Sequence, residues 1–451
     1  MRRLFGTDGV RGIANETLDC ELSMAIGRAL GALLSSGGRY KPTVAVGMDT
    51  RISSRMLASA LSAGITSVGG NVLMLGVIPT PAVAYLVRKY GAKAGVMISA
   101  SHNSFEYNGI KIFGEDGRKL SDELEEEIES IALDGEKKPK LAAPQEIGEI
   151  NEAVGCIDDY IEYLKSTADV SLRGLRIGID TANGAASVTA NRLFTSLGAS
   201  VRMLCDRPDG ININDRCGST YLDQLRKFVL DESLDVGIAF DGDADRCLAV
   251  DECGNMIDGD VIMAILALDM KARGELTKNT VVGTVMTNFG FQKFCEREEI
   301  GFIATRVGDK YVLEIMEREG YSLGGEQSGH IIIKKHATTG DGQLTALALL
   351  SLLKKSGKPL SKLACVMKRY PQHTRNIHAC EEQKIAFFTD DGIKSIIADA
   401  ERSLCGIGRI VARPSGTEPK IRITVECEKE GEPERLTSEI AAAIEKRLEV
   451  Y

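Results

Sequence analysis

Five small or apolar residues, Ala94-Gly95-Val96-Met97-Ile98, run straight into Ser99-Ala100-Ser101-His102-Asn103. An apolar run this short, bounded by Gly and then by polar residues, reads as a buried strand of a parallel sheet. The same pattern recurs at residues 44–48, 71–76, 175–180, 236–240, 281–285 and 301–305. Between these runs lie helical patterns at 56–68, 79–90, 261–270, 310–319 and 343–355. Strand and helix in alternation build sheets joined by right-handed crossovers. Ligands of such sheets bind beyond the carboxyl ends of the strands, which puts Ser101 where a nucleophile would stand. A polar turn or helix cap is the plain alternative for that loop.

The expected class is α/β: three tandem related α/β domains with mixed sheets plus a small C-terminal α+β domain. The boundaries fall at 1–155, 156–255, 256–368 and 369–451. No literal repeat links the first three. Residues 181–186 are expected to open a helix, and the acidic run 122–129 follows Ser121 as a capped, solvated helix. The last unit reads as a strand at 374–378, a helix at 392–404, a hairpin at 409–426 and a helix at 433–450.

With 55 basic and 64 acidic residues, the net charge of −9 argues against non-specific binding to nucleic acid or to anionic membranes. The 11 cysteines include no C-x-x-C pair, and several sit in apolar contexts. They fit a reducing, cytoplasmic setting. No apolar run approaches the ~20 residues that span a bilayer. Assembly stays open between monomer and homodimer.

Phe240-Asp241-Gly242-Asp243-Ala244-Asp245-Arg246 carries the strongest chemistry. Three carboxylates spaced two apart after an apolar strand repel one another unless a cation joins them. An all-oxygen set favours Mg²⁺ or Ca²⁺. An EF-hand is excluded because Arg246 stands where that turn needs Gly. In Gly324-Gly325-Glu326-Gln327-Ser328-Gly329-His330, a carboxylate and a hydroxyl side by side suit sugar hydroxyls, though a capped turn fits too. In Arg413-Pro414-Ser415-Gly416-Thr417-Glu418-Pro419-Lys420-Ile421-Arg422, hydroxyls and arginines suit a phosphate monoester. Lys420 is expected on the strand face opposite Arg422. In Phe5-Gly6-Thr7-Asp8-Gly9-Val10-Arg11-Gly12, the flanking glycines let Arg11 aim at a phosphate.

In this order, the four motifs resemble those of the α-D-phosphohexomutase superfamily, along essentially the whole chain. The resemblance implies four domains around one cleft, with Ser101 as a phosphorylated serine. Asp241, Asp243 and Asp245, with an oxygen of that phosphoserine, would hold one Mg²⁺. His102, Lys111, Arg11 and Arg246 would surround the reacting centre, and Glu326, Ser328 and His330 would contact the sugar. Arg413, Ser415, Gly416, Thr417 and Arg422 would hold the phosphate that is not reacting.

The implied reaction interconverts glucosamine 6-phosphate and glucosamine 1-phosphate for UDP-N-acetylglucosamine synthesis. Glucosamine 1,6-bisphosphate or a similar bisphosphate is the intermediate and activator, and the only partner is the small phosphosugar. A phosphomannomutase or phosphoglucomutase would differ only in sugar contacts such as Gln327. A non-catalytic sugar-phosphate sensor would need neither Ser101 nor the aspartates. Two loop residues depart from the family pattern: Ser104 stands where Pro is usual, and Ala244 replaces a common Gly.

Overall fold

A computed structural model describes residues 4–6, 8–35, 41–134, 138–404, 406–415 and 419–450. Among them are four sheets, and the fold is α/β. The first sheet orders its strands Phe5–Gly6, Gly9–Ile13, Tyr107–Gly114, Ala94–Ile98, Thr43–Met48, Asn71–Val77 and Ile150–Glu152. Ala94–Ile98 runs parallel to Thr43–Met48 and antiparallel to Tyr107–Gly114, so the sheet is mixed. The second sheet centres on Val236–Phe240, between Arg176–Asp180 and Cys247–Asp251. The third centres on Thr280–Thr284 and Leu323–Gly325.

One apolar cluster runs through all three of these units, including Met97, Tyr160, Ile179, Ile238, Leu323 and Leu347. The helix Gly342–Ser356 lies inside it, burying Leu344, Leu347, Leu350 and Leu353, with Asp341 capping its first turn through Leu344 N. Asp258 and Asn288 cap the helices Gly259–Ala272 and Phe289–Arg297 in the same way. These caps satisfy N–H groups that a buried helix end cannot leave to water.

The last sheet, Gln372–His378, Lys420–Cys427 and Gly408–Pro414, builds its own core from Ile377, Ile421, Ile423, Val425, Leu436 and Ile440. Strand alternation turns the other face, with Arg422, Thr424 and Glu426, towards the third unit. There Glu426 accepts from Phe289 N at 2.7 Å and from Arg409 Nε at 2.8 Å. Asn288 and Tyr370 exchange two more hydrogen bonds across the same junction.

Two expectations change. Residues 181–184 form a turn rather than a helix start: Ala182 and Asn183 have φ of 55° and 50°, and the helix proper is Ala190–Ser196. Asp180 caps that turn through Ala182 N, an interaction that competes with helix. Lys420 shares the face of Arg422, because residues two apart on a strand point the same way. Ile421 between them is fully buried. The sequence pattern did not anticipate the helices Cys20–Ser35, Asp223–Asp231 and Glu381–Thr389.

Candidate active site

The strands Thr43–Met48 and Ala94–Ile98 end level, with Met48 opposite Ile98. Asp49-Thr50-Arg51 and Ser99-Ala100-Ser101 therefore emerge side by side. Arg51, buried and paired with Asp49, donates from Nη2 to the carbonyls of Ser101 at 3.1 Å and Asn103 at 2.6 Å. From the second unit, Asn214 Nδ2 donates to the same two carbonyls at 2.9 and 2.8 Å. The loop is thus gripped from two sides, which holds Ser101 at a left-handed φ of 52°. A non-glycine residue stays in that region only where its surroundings impose it.

Ser101 Oγ donates to Asp241 Oδ2 at 2.6 Å. The second unit approaches so closely that a Cβ on Gly242 would meet Ser101 O at 2.6 Å. Ala244 has φ of 58°, the conformation for which Gly is the ordinary choice. Asp243 Oδ2 accepts from Thr80 Oγ1 at 2.6 Å and Lys111 Nζ at 2.9 Å. Lys111, 1 % exposed, also reaches Asp245 at 3.3 Å and Asp8 at 3.0 Å.

Burial and the neighbouring carboxylates of Asp245 and Asp243 push Asp241 well above the usual carboxylate range. Burial would raise Asp245 too, but Lys111, His330 and Arg246 outweigh it and hold it far below. Lys111 is pushed well up: burial opposes its charge, and Asp243, Asp8 and Asp245 more than restore it. One lysine does not complete the set. Asp243 Oδ1 is buried without a hydrogen-bond partner, and the triad offers oxygens within 4.8 Å of one another. These donors fit a small hard cation such as Mg²⁺.

Because Lys111 serves three carboxylates, Lys111→Met should cost about 3–5 kcal/mol, the penalty for stranding buried charge. Urea unfolding in chelator reads this directly, and a loss below about 1 kcal/mol would show that the carboxylates neutralise themselves by protonation.

Around this centre, Arg11 donates to Asp8 at 2.6 Å and to Asn103 Oδ1 at 3.3 Å. His102 is lowered to about 4 by burial, Arg246 and Arg11, so its imidazole is neutral near pH 7. Arg246 closes the metal loop through its own N–H on Asp241 Oδ1 at 3.1 Å. Glu326 and Ser328 are half-buried, and Glu326 Oε1 accepts from Gly308 N at 3.0 Å. Their turn is pressed against the second unit, where a Cβ on Gly329 would lie 2.4 Å from Cys247 O.

His330 supports this turn from beneath. Its Nε2 accepts from Gly340 N at 3.0 Å, leaving Nδ1 3.6 Å from Asp245. Burial lowers this imidazole and the carboxylates of Asp245 and Asp309 raise it, while the Gly340 N–H on Nε2 favours the neutral ring.

On the last sheet, Arg413 stands directly opposite Arg422. Like charges paired across strands repel. Burial and Arg422 lower the Arg413 guanidinium, and its Nε is buried without a hydrogen-bond partner. Arg422 leans on Asn376 Oδ1 at 3.1 Å. An anion between the two arginines would relieve both. Ser415 N closes the hairpin on Lys420 O at 2.8 Å, while Gly416 and Thr417 lie outside the described residues.

Family models for phosphoglucomutase/phosphomannomutase match all four parts of the chain: α/β/α domain I at 2–139, domain II at 158–254, domain III at 258–370 and the C-terminal domain at 376–443. The chain belongs to the α-D-phosphohexomutase superfamily. Within it, the chain is 50% identical to a phosphoglucosamine mutase of Acetivibrio thermocellus over 448 residues, covering 99% of this chain and 100% of that one. A phosphoglucosamine mutase of a Thermoanaerobacter species is 52% identical over 450 residues, again covering 99% and 100%. A phosphoglucomutase/phosphomannomutase family protein from Burkholderia thailandensis has the same fold, with a TM-score of 0.82 at 22% identity, covering 99% and 98% of the two chains. Aspergillus fumigatus N-acetylphosphoglucosamine mutase, solved with GlcNAc-6P and magnesium, aligns with a TM-score of 0.67 at 16% identity over 99% and 96%.

As a superfamily member at this level of identity, the chain is an enzyme of the isomerase class. The structure brings Ser101, His102, Lys111, Arg11, Arg246 and the three aspartates into one centre, with the Glu326 turn beside it. Sequence reading missed Thr80, Arg51, Asn214, Lys119 and Asp309. Lys119 bridges Asp8 of the first unit to Asp309 of the third. Arg51 alone had a usable signal, a polar triplet directly after a buried strand.

Proposed function

We propose that this protein interconverts glucosamine 6-phosphate and glucosamine 1-phosphate, with Ser101 as the phosphoryl carrier. The observation that carries the chemistry is the Ser101 hydroxyl, 2.6 Å from Asp241 inside a buried, cation-fitted carboxylate cluster. The choice of sugar rests on the full-length identity to phosphoglucosamine mutases.

In this reading, Arg11, Lys111 and Arg246 balance the charge of a phosphorylated Ser101, which carries about −1.5 to −2 near neutral pH. Arg413, Ser415 and Arg422, with Gly416 and Thr417, grip the phosphate that is not reacting. Glu326 and Ser328, with His330 behind them, read the sugar. A substrate 6-phosphate held on the arginine pair presents its 1-hydroxyl to the phosphorylated Ser101. The phosphoryl group moves to the sugar, and the bisphosphate turns over in the cleft. Ser101 then recovers the other phosphate.

Asp241, Asp243, Asp245 and Ser101 would hold one Mg²⁺, which when bound draws charge from the transferring phosphoryl group. A bisphosphorylated glucosamine or similar sugar would prime Ser101. A cytoplasmic setting, a small phosphosugar as substrate and a product destined for UDP-N-acetylglucosamine accompany this reading.

Side-by-side turnover of glucosamine, glucose and mannose 6-phosphates tests it. The highest kcat/KM is expected for glucosamine 6-phosphate. A clear preference for mannose or glucose would transfer the assignment to phosphomannomutase or phosphoglucomutase. No turnover of any of them would remove it.

The distal grip has its own test. Arg422→Ala should lower kcat/KM by about ten- to a hundredfold, matching one charge-assisted contact of roughly 1.5–3 kcal/mol. Arg413→Ala should be comparable or milder. Arg435, on the far helix and paired with Glu432 and Glu439, is the control, and Arg435→Ala should change nothing. A silent Arg422→Ala would place the second phosphate elsewhere.

A further inference from the structure

Away from the aspartate centre, one more group of ligand-type side chains lies together among the described residues. Asp180, Cys205 and Cys217 each bring one such atom within 4.8 Å of the other two. Cys217 is buried and Cys205 half-buried, so a small oxidant reaches Cys205 first. The Cys217 thiol is pushed well up by its hydrogen bond with Cys205, by burial and by Asp180. Asp180 is itself raised to about 6 by burial, which suits a carboxylate that takes a proton from a neighbouring thiol.

Both thiols stand at the feet of a single loop, residues 206–216. Cys205 O accepts from Asn183 N and from Thr181 Oγ1, each at 2.6 Å. Next to Cys217, Gly218 N donates to Asp180 Oδ2 at 2.8 Å. Between the feet, Asn214 N donates to Ala182 O at 2.9 Å, and Asn214 Nδ2 holds the carbonyls of Ser101 and Asn103. The loop that separates the two cysteines in sequence is therefore one of the two grips on Ser101.

We propose that Cys205 and Cys217 are a peroxide-oxidisable pair whose reversible disulfide shifts the 206–216 loop and loosens Asn214 from the Ser101 loop. The Cys205 thiol gives its proton to Asp180 and attacks the O–O bond of a hydroperoxide, forming a sulfenic acid and releasing water or an alcohol. The Cys217 thiol then attacks that sulfur as its proton passes to the departing hydroxyl, so the S–S bond forms, the S–O bond breaks and water leaves. Two thiols are oxidised and one peroxide is reduced by the same two electrons. Both feet are anchored to the turn at 180–183, so a bond between the two sulfurs re-sets the base of the loop that carries Asn214.

The test treats the full-length protein with hydrogen peroxide, blocks free thiols, and maps tryptic peptides by mass spectrometry beside mutase kinetics. A Cys205–Cys217 cross-link, two hydrogens lighter than the reduced pair, is expected. With it kcat/KM should fall about three- to tenfold, the equivalent of one lost neutral hydrogen bond, and dithiothreitol should restore it. Cys205→Ser should keep basal activity and lose both the cross-link and the peroxide effect. Equal peroxide inhibition in Cys205→Ser, a cross-link without loss of rate, or thiols that resist peroxide while retaining one zinc per chain would each overturn the proposal. Peptide mapping does not depend on which sugar is turned over, so failure of the mutase reading is distinguishable.

Discussion

Ser101→Ala is expected to remove mutase turnover, a loss on the order of 10⁴-fold or more, because no other group can carry the phosphoryl between positions. The fold should survive. The lost hydroxyl makes one hydrogen bond, to an Asp241 carboxyl that its neighbours already push towards protonation. The Ser101 backbone stays gripped by Arg51 and Asn214. Ser99 supplies the comparison. It is fully buried, and its Oγ accepts from Ser101 N at 2.9 Å, so it orients the loop and faces no substrate. Ser99→Ala should cost about the ten- to hundredfold of a misplaced nucleophile. Intact-protein mass spectrometry should show any phosphoryl adduct on wild type and on Ser99→Ala, and none on Ser101→Ala. If Ser99→Ala proved inactive and Ser101→Ala active, the nucleophile would be misassigned.

Chelation is the second large effect. Exhaustive treatment with EDTA should reduce activity to background, and Mg²⁺ should restore it better than Ca²⁺. The triad sits on one tight turn, residues 241–245, with Gly242 pressed against Ser101 O. A tight octahedral ion fits such a site, whereas calcium's longer bonds and larger shell withdraw less charge from the reacting phosphoryl group. Removing the ion should also lower Tm, since Asp243 Oδ1 then has no partner in a buried setting. Full activity in excess chelator would sink the metal assignment, and equal rescue by both ions would sink the geometric argument for Mg²⁺.

Most of the fold was readable because its strands are short apolar runs ending in polar loops, and that pattern is local. Ala94–Ile98, Val236–Phe240 and Thr280–Thr284 are all fully buried, as their composition required. The turn at 181–184 was not readable. Its conformation depends on Asp180 and on the Cys205 carbonyl, which lies just past the neighbouring strand Ser200–Leu204, more than twenty residues away. The face of Lys420 follows from the two-residue strand period alone, which sets it beside Arg422.

The chemical groups were legible in the same local way: Ser101 after its strand, alternating aspartates after theirs, arginines flanking a hairpin. Residue type and spacing alone identify what such groups can ligate or attack. What the sequence could not supply was their partners. Thr80 on Asp243, Asn214 on Ser101 O, and Lys119 between Asp8 and Asp309 each join residues more than a hundred positions apart. Nothing local marks them, because a hydrogen bond needs only one donor and one acceptor brought to about 3 Å, and most polar residues offer that. Tertiary structure decided which pairs meet. It also gave the aspartates and Lys111 a low-dielectric setting, where their charges interact strongly enough to shift ionisation and to call for a cation.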